Sequence, residues 1–438
     1  MAAGTRAAGS AHTARWLIAA LAVLALVLAA CEADEEPTAD VDDDVEEPDT
    51  DDTDDTDDPD DPDGTDDADD AAEADGDPIP VGIVTSTSGL LASYGEDYLE
   101  GLEAGLEWAT GGTGAVDGRP VEFDIVDDGG EPDQAISSAV DLVGEGVTIL
   151  GGTVSSGVAV QMASFAEENQ ILYLSGPAAT DAITGVNDYT FRSGRQTWQD
   201  VAAAAALVDD LSGETVVAFV QDSEFGESNV LAVEAVLGDE MGADVEVVDV
   251  PLSATEFTPF AQQIADADPS LVFVAWAGDT TPAMWETLEQ QGILDQFPVT
   301  TGLAERVTWP LYGPAGPEIQ FLNHYFGEAP DNEVNDFLVD HVGGTADIFH
   351  ADGFVAAQMI VHALSEADPE DVDGMAEALR GWTFDAPKGE QTIRAEDHAM
   401  LQPMFLASME NMDDDPDNID VELLDTLAPE VTEPPIAE

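Results

Sequence analysis

Ser155 and Ser156 are the two residues whose chemistry the sequence states most directly. They follow a short apolar run, residues 148–150, and open a stretch of helical spacing over residues 157–168. The first turn of a helix has unpaired backbone N–H groups and the positive end of the helix dipole, so hydroxyls placed there suit an anion, a carboxylate above all. The plainer reading, a serine that caps the helix, is compatible with that role. Neither serine lies in the Gly-x-Ser-x-Gly elbow of a hydrolytic nucleophile, and the six histidines show no His-Glu-x-x-His or other short metal spacing. No catalytic activity is expected, and no metal or other cofactor. Lys and Arg number only nine in 438 residues, so each one is informative. Arg195 has the side chain that grips a carboxylate with two parallel donors; the competing reading is an ion pair on an acidic surface.

Alternating elements must position these groups. Residues 79–85 are a β-rich run, and residues 98–109 follow with Leu99, Leu102, Leu106 and Ala109 on one helical face. Strands are predicted again at 121–126, 148–150, 171–174, 216–220, 244–250 and 271–275, with helices at 133–143, 157–168, 201–211, 228–241 and 257–265. Strict alternation demands parallel pairing with right-handed crossovers, hence an α/β fold with doubly wound sheets. Ligands of such sheets bind beyond the carboxyl ends of the strands. The stretch from residue 78 onward is too long for one core and suits two lobes.

The first 77 residues have another purpose. Arg6 and Arg15 precede an apolar run from Trp16 to Ala30 that, at roughly 15 residues, is shorter than the ~20 needed to span a bilayer and reads as the core of a signal peptide. Leu28-Ala29-Ala30-Cys31 resembles the lipobox of bacterial lipoproteins, in which the cysteine takes a diacylglyceryl group and becomes the new N-terminus. Residues 1–31 are therefore expected to be a lipoprotein signal, with the mature chain extracytoplasmic and held to the cell membrane through lipid on Cys31. An ordinary secretory signal and a short membrane anchor are the rivals. Cys31 is the single cysteine, so no disulfide framework exists.

Residues 32–77 hold 27 of the 95 Asp and Glu, and Val41 and Val45 are their only large aliphatic side chains. Such a segment cannot bury a core, and its like charges extend it, so a disordered acidic tether is expected. The other 68 acids face seven Lys and Arg across residues 78–438. Dispersed acid over a whole fold resembles halophilic proteins, whose self-repulsion molar salt screens; specialised cation binding is the alternative. Nucleic acid is excluded as a partner, since no basic patch exists to neutralise phosphates.

The loops after the strands carry a resemblance. Ile79-Pro-Val-Gly-Ile-Val with Gly89-Leu-Leu-Ala-Ser-Tyr94-Gly95, Asp117-Gly118-Arg119-Pro120 and Asp127-Asp128-Gly129 are similar to the opening of the leucine/isoleucine/valine-binding family of ABC-transporter solute-binding proteins. Gly152-Thr-Val-Ser155-Ser156-Gly157, Ser175-Gly-Pro-Ala178-Ala179-Thr180, Phe191-Arg192 and Gln221-Asp222-Ser223-Glu224-Phe225-Gly226 follow in order, so that the resemblance covers residues 78–409.

The resemblance implies a type I periplasmic binding fold, in which two doubly wound parallel-sheet lobes are joined by a three-segment hinge. The expected lobes are residues 78–196 with 325–386, and 197–320 with 387–438; the crossings fall near Arg195, near Ile319 to Tyr325 and near Ala386 to Glu390. It further implies that Thr180 and backbone at Ala178 complete a carboxylate cradle with Ser155 and Ser156, Thr180 capping the next loop in the plainer reading. Tyr94 and Phe225 match aromatic wall positions, and Trp276 lies in the loop after another strand. Amino-acid binders of the family place an acid in the segment that looks like Thr300 to Glu305; here Thr301 occupies that position and Glu305 falls four residues later. Either Glu305 reaches in or the ligand has no α-amino group. Arg192 is expected to pair with a neighbouring acid, whereas Arg195 stands at the first crossing. The implied function is capture of an amino acid or related small carboxylate for an ABC permease and its ATPase subunits. A sensor-feeding lipoprotein and, on the same fold, a hydrolase are the alternatives.

Overall fold

In the computed structural model residues 76–437 are described, apart from Asp209, Thr345 and Asp414. The expected signal peptide, Cys31 and the expected tether up to Asp75 lie outside the described residues. Strands β1 (Ile79–Thr85), β2 (Ala115–Val116), β3 (Arg119–Asp127), β4 (Ile149–Gly152), β5 (Leu172–Ser175) and β6 (Thr190–Arg192) form the first sheet in the order β2-β3-β1-β4-β5-β6. Its crossover helices are α1 (Ala92–Ala109), α2 (Pro132–Gly144) and α3 (Ser156–Asn169). All pairings but the short β2–β3 ribbon are parallel.

The chain then enters α4 (Thr197–Ala205) and alternates through β7 (Thr215–Gln221), α5 (Glu224–Val233), β8 (Asp244–Val250), α6 (Thr258–Ala267), β9 (Leu271–Ala275), α7 (Thr281–Gln290), α8 (Ile293–Gln296), β10 (Val299–Gly302) and β11 (Gln320–Asn323). It returns through α9 (Glu333–His341), α10 (His350–Glu366) and α11 (Val372–Leu379) to a small antiparallel sheet of β12 (Thr383–Ala386), β13 (Gly389–Ile393) and β14 (Met400–Leu401). Strands β15 (Met404–Met409) and β16 (Val421–Leu427) close the second sheet, whose order is β16-β15-β11-β10-β9-β7-β8. Five of its strands are parallel; β15 and β16 form an antiparallel edge, as a strand pair joined without a crossover helix must.

Parallel strands covered on both faces read as continuous apolar runs, and every residue of β9 is buried. The two faces separate with a period of two. Val217, Phe219, Val272 and Val274 pack in one core, while Val216, Ala218, Val220, Leu271, Phe273 and Ala275 pack in another.

The predicted position of the last crossing is corrected. Phe384, Ala386, Ile393 and Met400 all pack in the core of the first sheet with Ile79, Val81 and Ile83, so the chain changes sheets between β14 and β15 rather than near Ala386 to Glu390. Pro387-Lys388-Gly389 has the composition of a linker, but Pro387-Lys388 is the turn of the β12–β13 hairpin and Gly389 opens β13 opposite Ala386; the strands alternate inward and outward.

Candidate functional site

The loop from β4 to α3 aims a helix N-terminus at the gap between the two sheets. Gly152 has φ 100° and a Cβ there would stand 2.4 Å from the Val84 carbonyl oxygen, so only glycine fits. Thr153 is buried with φ 70°, an uncommon conformation for a β-branched residue. It is held by its hydroxyl, 2.6 Å from Tyr173 Oη. Ser155 is the N-cap of α3 and its side chain makes no capping bond. Ser155, Ser156 and Gly157 line a cavity of about 430 Å³.

Seven of the ten residues singled out from the sequence line that cavity: Tyr94, Ser155, Ser156, Arg195, Phe225, Trp276 and Thr301. Tyr94 packs on Phe349 with ring centroids 4.6 Å apart, and Trp276 leans on Phe219 at 5.2 Å while its Nε1 donates to Thr280 Oγ1 at 3.0 Å. The Thr301 hydroxyl is spent on the Val274 carbonyl at 3.0 Å. Ala178 and Thr180 are fully buried behind the wall rather than in it. Ala178 offers its carbonyl to Arg192 Nη2 at 2.9 Å, and Thr180 donates to Glu224 Oε1 at 3.0 Å.

Arg195 forms an ion pair and also lines the cavity. Nε meets Asp200 Oδ2 at 3.2 Å and Nη1 donates to the Pro177 carbonyl at 3.0 Å, yet the pair is buried at the cavity wall, not on the surface. Burial pushes the Asp200 carboxyl up, and Arg195 pulls against that shift. Arg192 departs from expectation: it is buried and serves carbonyls, those of Ala178 and Thr180, with Thr184 Oγ1 at 2.8 Å. Burial lowers it to about 10. The carbonyl cluster occupies Nη1 and Nη2 without a second buried charge, while Nε is buried with no hydrogen-bond partner among the described residues.

Glu305 does not line the main cavity. It lines an adjoining one of about 270 Å³, which meets the first at Leu90, Tyr94, Trp276 and Thr301. Sequence reasoning missed Asn323, His324 and Phe349, which also line the main cavity. Asn323 ends β11, His324 follows it and Phe349 precedes α10, and only a correct placement of β11 would have pointed to the first two. Asn323 is the most consequential, because its Nδ2 is buried without a hydrogen-bond partner among the described residues. His324 is buried against the Ile348 carbonyl at 3.1 Å, and burial, with Arg195 and Lys388 nearby, holds it well below the usual range.

Two parallel α/β sheets whose strand ends face a common cavity, with an anion-favouring helix terminus and an arginine in its wall, define a bilobed solute-capturing protein. Among the described residues no group of His, Cys, Asp or Glu is placed to hold a metal ion. No helix among them is long and apolar enough to cross a membrane. Residues 78–415 match the periplasmic binding protein family, and the chain belongs to it. It is 24% identical over 355 residues to the Leu/Ile/Val-binding protein homolog 6 of Brucella melitensis, covering 77% of this chain and 89% of that one. An ABC-type branched-chain amino acid transporter structure from Rhodopseudomonas palustris is 29% identical with TM-score 0.68, covering 82% of this chain and 99% of that one. A solute-binding protein of an ABC transporter from Rhodopseudomonas palustris, in complex with p-hydroxybenzoic acid, is 25% identical with TM-score 0.73, covering 80% and 97%. The family is one of extracytoplasmic solute-binding proteins.

Proposed function

We propose that this protein captures a small carboxylate-bearing solute between its two lobes and delivers it to an ABC importer. The observation that carries the reading is the convergence of Ser155, the N-terminus of α3 and Arg195 on one cavity. A helix N-terminus, a hydroxyl donor and a guanidinium, in a pocket also walled by Tyr94, Phe225 and Trp276, suit an anion with an apolar body. The related proteins support both an aliphatic and an aromatic body: one is named for branched-chain amino acids and another was solved with p-hydroxybenzoic acid. Asn323 Nδ2 supplies a further donor to the bound solute. Catalysis is not part of the proposal, since capture and hinge closure suffice for delivery.

Attachment through lipid on Cys31 and a tether over residues 32–77 are proposed as the means of keeping the domain beside its permease. The excess of acid over base in the folded part supports a protein built for high salt. The deciding experiment is a thermal-shift screen of branched-chain amino acids, aliphatic carboxylates and hydroxybenzoates in molar KCl, followed by Ser155→Ala and Arg195→Gln on any hit. A ligand that binds only the folded state raises its midpoint. Both substitutions should weaken the hit at least about fivefold, the loss of a charge-assisted hydrogen bond. A hit unaffected by either would overturn the carboxylate cradle.

A further inference from the structure

The adjoining cavity has a chemistry of its own. Its walls include four aromatic rings, Tyr94, Trp276, Trp285 and Tyr312, and the carboxylate of Glu305; none of its lining residues is Lys, Arg or His. Glu305 is 5% exposed, and its Oε1 is buried without a hydrogen-bond partner among the described residues. Other polar groups around the chamber are already committed. Tyr312 Oη receives the Ala304 N–H at 3.2 Å, Trp276 Nε1 donates to Thr280, and the hydroxyls of Thr281 and Thr308 donate to the carbonyls of Gly278 and Glu305 at 2.7 Å each. Asp279, exposed, adds a second negative charge to the lining.

Ring faces attract cations, and a buried carboxylate without a partner is costly until a positive charge meets it. We propose that this second chamber is a subsite for a positively charged group, an alkylammonium or quaternary ammonium, carried at the far end of the captured solute, with Glu305 as its counter-ion. The inference rests on the carboxylate-capture reading above, which places the anionic end at Ser155 and Arg195 in the first chamber. An α-ammonium does not satisfy it: such a group lies one carbon from its carboxylate, hence in the first chamber, which Glu305 does not line. The solute class is therefore an ω-ammonium carboxylate. Burial and then the charge of Asp347 push Glu305 up to about 7 against a hydrogen bond from Ser93, so a cation bound there would draw it back toward the ionised form.

Calorimetric titration of the full chain in molar KCl at neutral pH tests this with matched probes: ω-amino carboxylates from β-alanine to ε-aminocaproate, their trimethylammonium analogues, and the plain carboxylates and α-amino acids of equal chain length. At least one ω-cationic probe should bind about tenfold or more tighter than its plain and α-amino counterparts, and Glu305→Gln should erase that preference while leaving plain carboxylates within about twofold. Equal binding of the plain or α-amino partner by the unmodified chain would overturn the subsite without recourse to any variant, and so would a preference that survives Glu305→Gln. Binding of no probe at all would overturn the carboxylate-capture reading itself, a different result from binding without preference.

Discussion

The Thr180 hydroxyl donates to Glu224 Oε1 at 3.0 Å, joining the loop after β5 of the first sheet to the first turn of α5 beside the second. One residue on, the Asp181 amide donates to Ser228 Oγ of α5 at 3.0 Å. Family resemblance assigns the Thr180 hydroxyl to the ligand. The geometry spends it instead on a clasp between the lobes, a short distance behind the cavity wall.

Thr180→Val keeps the shape of the side chain and removes the donor. Because the acceptor is a carboxylate, the lost bond should lower unfolding stability by about 1.5–3 kcal/mol, read from urea melts in constant salt. Dissociation of any identified ligand should also quicken, since the clasp favours the closed arrangement. An unchanged midpoint together with unchanged dissociation would remove Thr180 from the clasp.

Lys388, the single lysine, is buried with Asp352 at 2.8 Å, and both side chains are 0% exposed. Lys388 also donates to Gln402 Oε1 at 2.8 Å, and the other Asp352 oxygen lies 3.7 Å from His324 Nε2 and beside Gly194. Gly194, His324 and Gln402 stand at the three passages between sheets, so the pair sits where the hinge segments converge. Lys388→Met should cost about 3–5 kcal/mol by stranding a buried carboxylate, and adding Asp352→Leu should recover much of it. A single substitution as mild as the double would show that the pair contributes little.

The alternation of strand and helix was legible because burial on both faces leaves unbroken apolar runs, as in β9, whose bounds the sequence alone defines. Ser155 and Arg195 could be found for related reasons: one follows a strand and opens a helix, the other is rare in an acidic chain. Two kinds of information were not legible. The β12–β13 hairpin stays with the first core through contacts of Phe384, Ala386 and Ile393 that no local pattern announces. Thr180 and Glu305 do not line the cavity they were expected to line, and whether a side chain faces a cavity or its backing depends on loop paths, not on spacing.

Helices α1 and α10 meet through glycine. A Cβ on Gly101 would stand 1.9 Å from the His350 carbonyl oxygen, and one on Gly353 would stand 2.0 Å from that of Tyr98. Glycine weakens a helix interior, yet here it lets two backbones touch. Gly101→Ala should therefore destabilise by about 1–3 kcal/mol through overpacking, despite the better helix propensity of alanine, which chemical denaturation would measure. Stabilisation would mean that the helices part without cost.

A cluster of acids beside this helix pair sets a pH dependence. Burial, then Asp347, Glu305, Glu100 and Glu96, push Asp97 up to about 8, while burial raises Glu305 to about 7 and Asp347 to about 6. His350, 4.0 Å from Asp97 and 3.2 Å from Glu100, is lowered by burial. Unfolded carboxyls titrate near 4, so above that pH the folded chain retains protons that the unfolded chain has released. Each raised carboxyl thus adds stability below its unfolded value that is lost as pH climbs through its folded value. Histidine works in the opposite sense up to about pH 7 and is neutral in both states beyond it. Stability in fixed molar salt should fall as pH rises from about 7 to about 9, and Asp97→Asn should flatten that slope because an amide needs no proton to remain neutral. Equal slopes for the two proteins would show that Asp97 is ionised in the folded chain across that range.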